Sequence, residues 1–260
     1  ATNATNPKKH SLVRLRMAGL RQRNRGVHLR KKFLALGIKM VGVQEARTTQ
    51  SRYTSDGWHV IASGATVHAN DGCELWIHES FLLPPDCTKE DRVLKLRLNH
   101  INLSLHVRID AHGVQLQVAV GHAVGGSKGA AKSRRMRQAH FWDRWDKHVL
   151  RYQEYDQIWF LDANAHVGEH ISAHIGPHQP SPQEDYNGAR LATILQATTM
   201  ILPQTFAEHH KGPAGSWQGT RNSFIRIRID YVAIPMAWLG PTVTTVVKHT
   251  FDSMNARDDH

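Results

Sequence analysis

Short apolar runs of strand length recur along most of this chain, and two of the clearest end on a carboxylate. Ile38 to Gln44 is apolar and rich in β-branched residues, and Glu45 stands at its carboxyl end. Ile158 to Leu161 runs directly into Asp162. Runs of this length and composition read as buried strands. A carboxylate at the mouth of a buried strand is costly unless something satisfies it. It either caps a neighbouring backbone amide or serves a site at the edge of a sheet, where gathered oxygens hold Mg²⁺ or Mn²⁺. Taken singly, Glu45 and Asp162 are open to both readings. Asp230, inside the apolar run 225–234, and Asp258-Asp259-His260 join the same group.

The rest of the chain fits around such strands. Trp58 to Ala62, Cys73 to Ile77, Val93 to Leu98, Leu103 to Ile109 and Val114 to Val120 read as strands, with His112-Gly113 as a turn. Residues 225–234 alternate, placing Ile225, Ile227, Ile229 and Tyr231 on one face, and Val243 to Val247 reads as a last strand. Helical spacing is confined to residues ~20–36, closed by Gly37, to Lys128–Leu150 and to Gly188–Thr199. Residues 1–19 show little apolar periodicity, and Pro177 to Pro182 is a loop. Many strands with few interspersed helices, no repeat and no long linker predict one α/β domain with mixed sheets over residues 1–260.

Composition narrows the partners. The 260 residues are 40% hydrophobic, enough for one sizeable core. No apolar run approaches the ~18 residues of a membrane span. Cys73 and Cys87 form no CxxC pattern, and with no signal-peptide pattern they predict an intracellular, reducing setting, with the nucleus as one candidate. The net charge of +11 suits a polyanion such as nucleic acid, because each Lys or Arg at a phosphate releases a counterion. Basic residues concentrate from Arg14 to Lys32 and from Lys128 to Arg137. The second cluster contributes Lys128, Arg134 and Arg135 as candidate substrate contacts.

In combination the acidic strand ends and their neighbours resemble a known family. Val43-Gln44-Glu45, Gly72-Cys73-Glu74-Leu75-Trp76-Ile77, Phe160-Leu161-Asp162-Ala163-Asn164-Ala165, Ser216-Trp217, Arg228-Ile229-Asp230-Tyr231 and Asp259-His260 follow the order and rough spacing of the endonuclease/exonuclease/phosphatase superfamily. Apurinic endonucleases and the endonuclease domains of non-LTR retrotransposons belong to it. The resemblance implies a DNase-I-like four-layer α/β sandwich, two packed mixed β-sheets flanked by helices. It also implies Mg²⁺- or Mn²⁺-dependent phosphodiester hydrolysis, with DNA as the leading substrate. Glu45 then looks like the metal-binding glutamate and Asp259 like the acid beside the metal. Asp162 looks like the aspartate that activates the attacking water, and Asn164 like its partner in positioning water and phosphate. His260 looks like the phosphate-contacting histidine, oriented by Asp230, and Trp217 like a wall of the site.

Departures from the pattern matter as much. The family's first strand ends in an asparagine near the metal; Asn3 fits that place best, with no strand before it, and Asn6 is the other candidate. His122 stands where a phosphate-contacting Tyr or His is expected, with Val124 in place of a proline. The strand expected after Asp259-His260 is absent, so a copy truncated at both ends, lacking its first and last strands, is an expectation. The alternatives to an active endonuclease are a decayed nucleic-acid-binding relic of the same fold and a small-molecule phosphatase. His166, His170, His174 and His178 recur every four residues, a spacing that suits Zn²⁺ on a helix. Gly168, Gly176 and Pro177 argue against that helix, and chance spacing is preferred.

Overall fold

A computed structural model describes residues 11–16, 23–65, 72–81, 95–101, 103–111, 114–125, 131–168, 172–181, 183–218 and 226–248. The first half contains β1 (Ser11–Arg16), α1 (Arg23–Ala35), β2 (Ile38–Gln44), β3 (Ser51–Ser55), β4 (Trp58–Ala62) and β5 (Cys73–His78). The middle contains β6 (Lys95–Ile101), β7 (Ser104–Ala111), β8 (Val114–His122), α2 (Ala131–Arg151) and β9 (Asp156–Asp162). Then follow α3 (Tyr186–Ala197), β10 (Met200–Ile201), β11 (His210–Lys211), β12 (Trp217–Gln218), β13 (Arg226–Ile227), β14 (Asp230–Pro235) and β15 (Thr245–Val246).

The strands form a five-stranded sheet, ordered β1-β2-β5-β4-β3, and a six-stranded sheet, ordered β10-β14-β9-β8-β7-β6. Each mixes antiparallel pairs with one parallel pair, β1 with β2 and β8 with β9. The inner faces pack on each other through Met40, Ile61, Leu75, Ile77, Leu105, Val107, Val118, Val120 and Phe160. Helix α1 covers the outer face of the first sheet with Leu29 and Phe33 against Val41, Val43 and Trp76. Helices α2 and α3 cover the second sheet through Trp142, Trp145, Leu191 and Leu195. The four expected layers are all present. Trp142, Trp145 and Trp159 are fully buried. Each aromatic of this size removes on the order of 150–250 Å² from water, so these three dominate the second helix–sheet layer.

One close approach fixes the sheets relative to each other. A Cβ on Gly42 would collide with the Phe160 ring, so β2 and β9 touch where no other residue type fits. Two residues on, the fully buried Gln44 donates from Nε2 to the Phe160 carbonyl at 3.1 Å. Strand ends from different sheets, those carrying Glu45 and Asp162, are thereby held in register.

The fold corrects the sequence reading in two places. Strand β1 lies in a stretch without apolar periodicity, and its Leu12, Val13 and Leu15 pair in parallel with Met40, Val41 and Val43 of β2. Arg14 and Arg16, assigned to the basic stretch before α1, are therefore strand residues. Residues 225–234 are not one strand. Arg226–Ile227 pairs with β12, while Asp230–Pro235 pairs with β10 and β9. The chain changes partners at Arg228-Ile229, where Arg228 donates to the Ala214 and His178 carbonyls and Ser216 Oγ accepts from the Ile229 and Asp230 amides. His112-Gly113 and Ile225 lie outside the described residues.

Candidate active site

Three strand ends meet at one edge of the sandwich. Gln44, the last residue of β2, is followed by Glu45 at φ 52°, a left-handed turn that swings its carboxylate out of the strand. Strands β8 and β9 end level with each other, His122 in register with Asp162. Strand β14 begins opposite them, with Asp230 the antiparallel partner of Asp162.

The imidazole of His122 joins the two sheets. Its Nε2 lies 3.7 Å from Glu45 Oε1 and 3.7 Å from Asp162 Oδ2, within ion-pairing reach of both carboxylates. The Asp162 side chain is fully buried, and those of His122 and Glu45 are 12% and 17% exposed. Asp162 is thus the innermost of the three, with Glu45 and His122 nearer solvent. Charges so placed interact more strongly than in bulk water. Arg47 Nη2 approaches Glu45 Oε2 at 3.8 Å on the solvent side.

Asn164 completes this half of the site. It adopts φ 43°, a conformation asparagine tolerates better than most residues. Its backbone N–H donates to Asp162 Oδ1 at 3.3 Å, and its Nδ2 donates to the Ala123 carbonyl at 2.8 Å. The Ala123 amide in turn donates to the Asp162 carbonyl at 2.7 Å. A Cβ on Gly125 would come within 3.0 Å of Asn164 Oδ1, so the loop after β8 packs tightly on the Asn164 amide. Asp230 is buried, its N–H bonded to Ser216 Oγ at 3.1 Å, and the adjoining Trp217 is half-buried on β12.

The structure therefore gathers Glu45, His122, Asp162, Asn164 and Asp230. Arg135 is exposed on α2, its guanidinium 3.1 Å from the ring centroid of Tyr186 at the start of α3, and Arg134 is half-buried beside it. Asn3, Lys128, Asp259 and His260 lie outside the described residues. The strand that runs beside β2 towards Glu45 is β1, and it ends on Arg16, paired with Gln44, rather than on an asparagine. His170 lies outside the described residues, and His166, His174 and His178 are not on a helix: His174 Nδ1 bonds the Met200 carbonyl at 2.7 Å, and the His178 ring faces that of His210. Their backbone is a loop with an isolated bridge at Ile175.

Sequence reasoning missed two supporting residues. Glu74 on β5 is buried; Thr48 Oγ1 donates to its Oε1 and Trp76 Nε1 to its Oε2, which ties the loop after Glu45 to the first sheet. Burial pushes its carboxyl above the usual range, against the pull of those two donors. Asn187 on α3 is fully buried and bonds the loops that carry Val124 and Asn164. Glu74 lies in a quoted motif, but nothing in the spacing marks Asn187.

Glu45 and Asp162 bring carboxylate oxygens here, the class Mg²⁺ and Mn²⁺ prefer. Among the described residues no three His, Cys, Asp or Glu side chains form a metal cage. Mg²⁺ needs none, since one or two carboxylates with water and substrate phosphates suffice. Glu45 fits that role.

No family model matches the sequence, and no curated protein matches it either. Solved structures do. The endonuclease domain of TRAS1, a telomere-specific non-LTR retrotransposon, superposes with a TM-score of 0.52 at 15% identity, over 86% of this chain and 84% of that one. The AP endonuclease LMAP from Leishmania major gives 0.60 at 14% identity, over 87% and 78%. The Neisseria 3′ phosphatase NExo, solved with a product DNA hairpin, gives 0.58 at 13% identity, over 88% and 86%. The chain has the DNase-I-like fold. At these identities the likeness speaks for the fold alone. Among the described residues, no helix of this DNase-I-like sandwich is long and apolar enough to cross a membrane.

Proposed function

We propose that this chain is a divalent-metal-dependent phosphodiester hydrolase acting on nucleic acid, with DNA the leading substrate, in the manner of a retrotransposon-type endonuclease. The observation that carries the reading is the convergence of Glu45 and Asp162, from different sheets, on one nitrogen of His122. Buried Asp162 with Asn164 beside it suits holding and deprotonating an in-line water. His122 suits contact with a phosphate oxygen, and Asp230 suits orienting a histidine, the role expected for His260. Glu45 would hold Mg²⁺ or Mn²⁺, with Asp259 as a further expected ligand; when bound, the ion supplies Lewis-acid stabilisation of developing phosphate charge. Phosphoryl transfer asks a protein mainly to position groups and neutralise charge, and this arrangement offers both. The net charge of +11 and the arginines at positions 134 and 135 favour a polyanionic strand over a small phosphate ester. Trp217 and Lys128 are further proposed substrate contacts.

A second reading has its own support. Arg16 ends the strand beside Glu45, where the resemblance expects an asparagine near the metal. An arginine offers no oxygen ligand to a divalent cation, where an asparagine would. On this reading the chain binds nucleic acid without cutting it. Supercoiled-plasmid nicking with and without Mg²⁺, beside a binding titration on the same DNA, separates the two. Mg²⁺-dependent nicking lost in Asp162→Asn supports hydrolysis; binding without nicking supports the second reading and overturns the first.

A further inference from the structure

We infer that Asn187 is a positioning residue that clamps the two loops of the site together, a reading that rests on the hydrolytic site proposed above. Asn187 is the second residue of α3, fully buried, and touches neither Asp162 nor His122 by any hydrogen bond. Its Nδ2 donates to the Asn164 carbonyl at 2.9 Å and to the Val124 carbonyl at 3.2 Å. Its Oδ1 accepts from Trp142 Nε1 at 2.9 Å. An indole nitrogen only donates, so Trp142 decides which way the amide faces. With Oδ1 committed to Trp142, both Nδ2 hydrogens are aimed at the two carbonyls, and every polar atom of the side chain is used.

The two carbonyls belong to the segments that matter for the chemistry. Val124 follows His122 and Ala123, and Asn164 follows Asp162 and Ala163. Neither segment is helix or strand at that point, so its backbone groups have no ladder to satisfy them. Asp185, the N-cap of the same helix, adds a second tie. Its Oδ1 accepts from the Gly188 amide at 2.8 Å and from the His166 amide at 3.1 Å. The first turn of α3 is thereby bonded to the loop after β9 at both Asn164 and His166. A bond from Asn164 Nδ2 to Ala123 joins the two loops directly, and Asn187 closes the bracket from behind. The resulting chain runs from Trp142 on α2, through Asn187 on α3, to the residues flanking His122 and Asp162. Small displacements of groups that hold an attacking water cost rate steeply, so a buried amide that fixes both loops acts on turnover more than on substrate affinity.

The test uses Asn187→Asp, which keeps the shape and the Trp142 bond but removes both donors. In Mg²⁺-dependent plasmid nicking, kcat is expected to fall about 10- to 100-fold with KM changed less than about twofold. In an Asn164→Ala background the same substitution should add little, because the loop it positions no longer carries its working side chain. Amide hydrogen exchange supplies a readout that needs no activity. Residues 123–125 and 163–165 should exchange at least about tenfold faster, while β8 and β9 keep their protection. An unchanged kcat, a fully additive loss in the double variant, or exchange that rises evenly over the molecule overturns the inference. If the parent chain does not nick DNA, the functional reading fails, and the exchange measurement still decides whether Asn187 clamps the loops. Should Asn187→Asp not fold, Trp142→Phe removes the group that orients the amide and is read by the same exchange pattern.

Discussion

The two sheets contribute to the candidate site in different styles. The half built on the second sheet is buried and cross-braced: Asp162 is fully buried, Asn164 bonds both Asp162 and Ala123, and Asn187 bonds the loops from behind. The half built on the first sheet sits further out. Glu45 is partly exposed on a left-handed turn, Arg47 lies 3.8 Å from its carboxylate, and Arg16 ends the neighbouring strand. Water activation needs a fixed acceptor shielded from solvent, whereas Mg²⁺ keeps several of its waters and needs only an exposed oxygen. The difference therefore follows the chemistry proposed for each half. It also places the departure from the resembled pattern, Arg16 for an expected asparagine, on the first-sheet half.

The largest predicted effect breaks the second-sheet half. Asp162→Asn removes the acceptor for the water's proton without changing its shape, and Mg²⁺-dependent nicking should fall about 10²- to 10⁴-fold. DNA binding measured by anisotropy should hold within a few-fold. The first-sheet half responds through metal instead. Glu45→Gln should raise the Mg²⁺ concentration for half-maximal nicking by at least about tenfold, with much of the rate recovered at saturating metal. A Mg²⁺ requirement unmoved by this substitution would detach the metal from the end of β2.

Acid should also act oppositely on the two sheets. His106 on β7 is buried against Trp145 and His148, and burial holds its pKa down at about 3. The unfolded imidazole takes up a proton near its ordinary value while the folded one does not. The native state therefore loses about 1.4 kcal/mol per pH unit from this group as pH falls from roughly 6 towards 3. Urea unfolding of His106→Phe should show a correspondingly shallower loss over that window. Glu74 on β5 has the opposite sign, since burial raises its folded pKa. Its contribution is present below the ordinary carboxylate range and is lost as pH rises through the folded value, so Glu74→Gln should be most favourable, relative to the parent, at neutral pH. The smallest effect belongs to Arg135, exposed and stacked on Tyr186. Arg135→Ala should weaken DNA binding about equally across sequences and reduce the salt slope by about 1.

Much of this arrangement was legible in the sequence because it rests on local pattern. Strand β2 is apolar and β-branched along its length, and β9 is apolar up to its terminal aspartate, so their ends, with Glu45 and Asp162, could be read directly. Strand β1 could not, since Arg14 and Arg16 interrupt its short apolar run and its flanks are basic. The switch at Arg228 was hidden for a different reason. Period-two alternation reports which face a side chain takes, not which strand pairs with it, and the pattern runs unbroken through a change of partner. Asn187 was invisible because its role depends on three segments far apart in the chain, Val124, Trp142 and Asn164.

The central claim is that the exposed half and the buried half form one hydrolytic centre, and a double-variant comparison of Glu45→Gln with Asp162→Asn tests it most directly. Groups that act as a unit are strongly non-additive. Mg²⁺-dependent nicking by the double variant should match that of Asp162→Asn alone within about threefold. A rate reduced by the product of the two single effects, or a parent chain that does not nick DNA with Mg²⁺ at all, would contradict it.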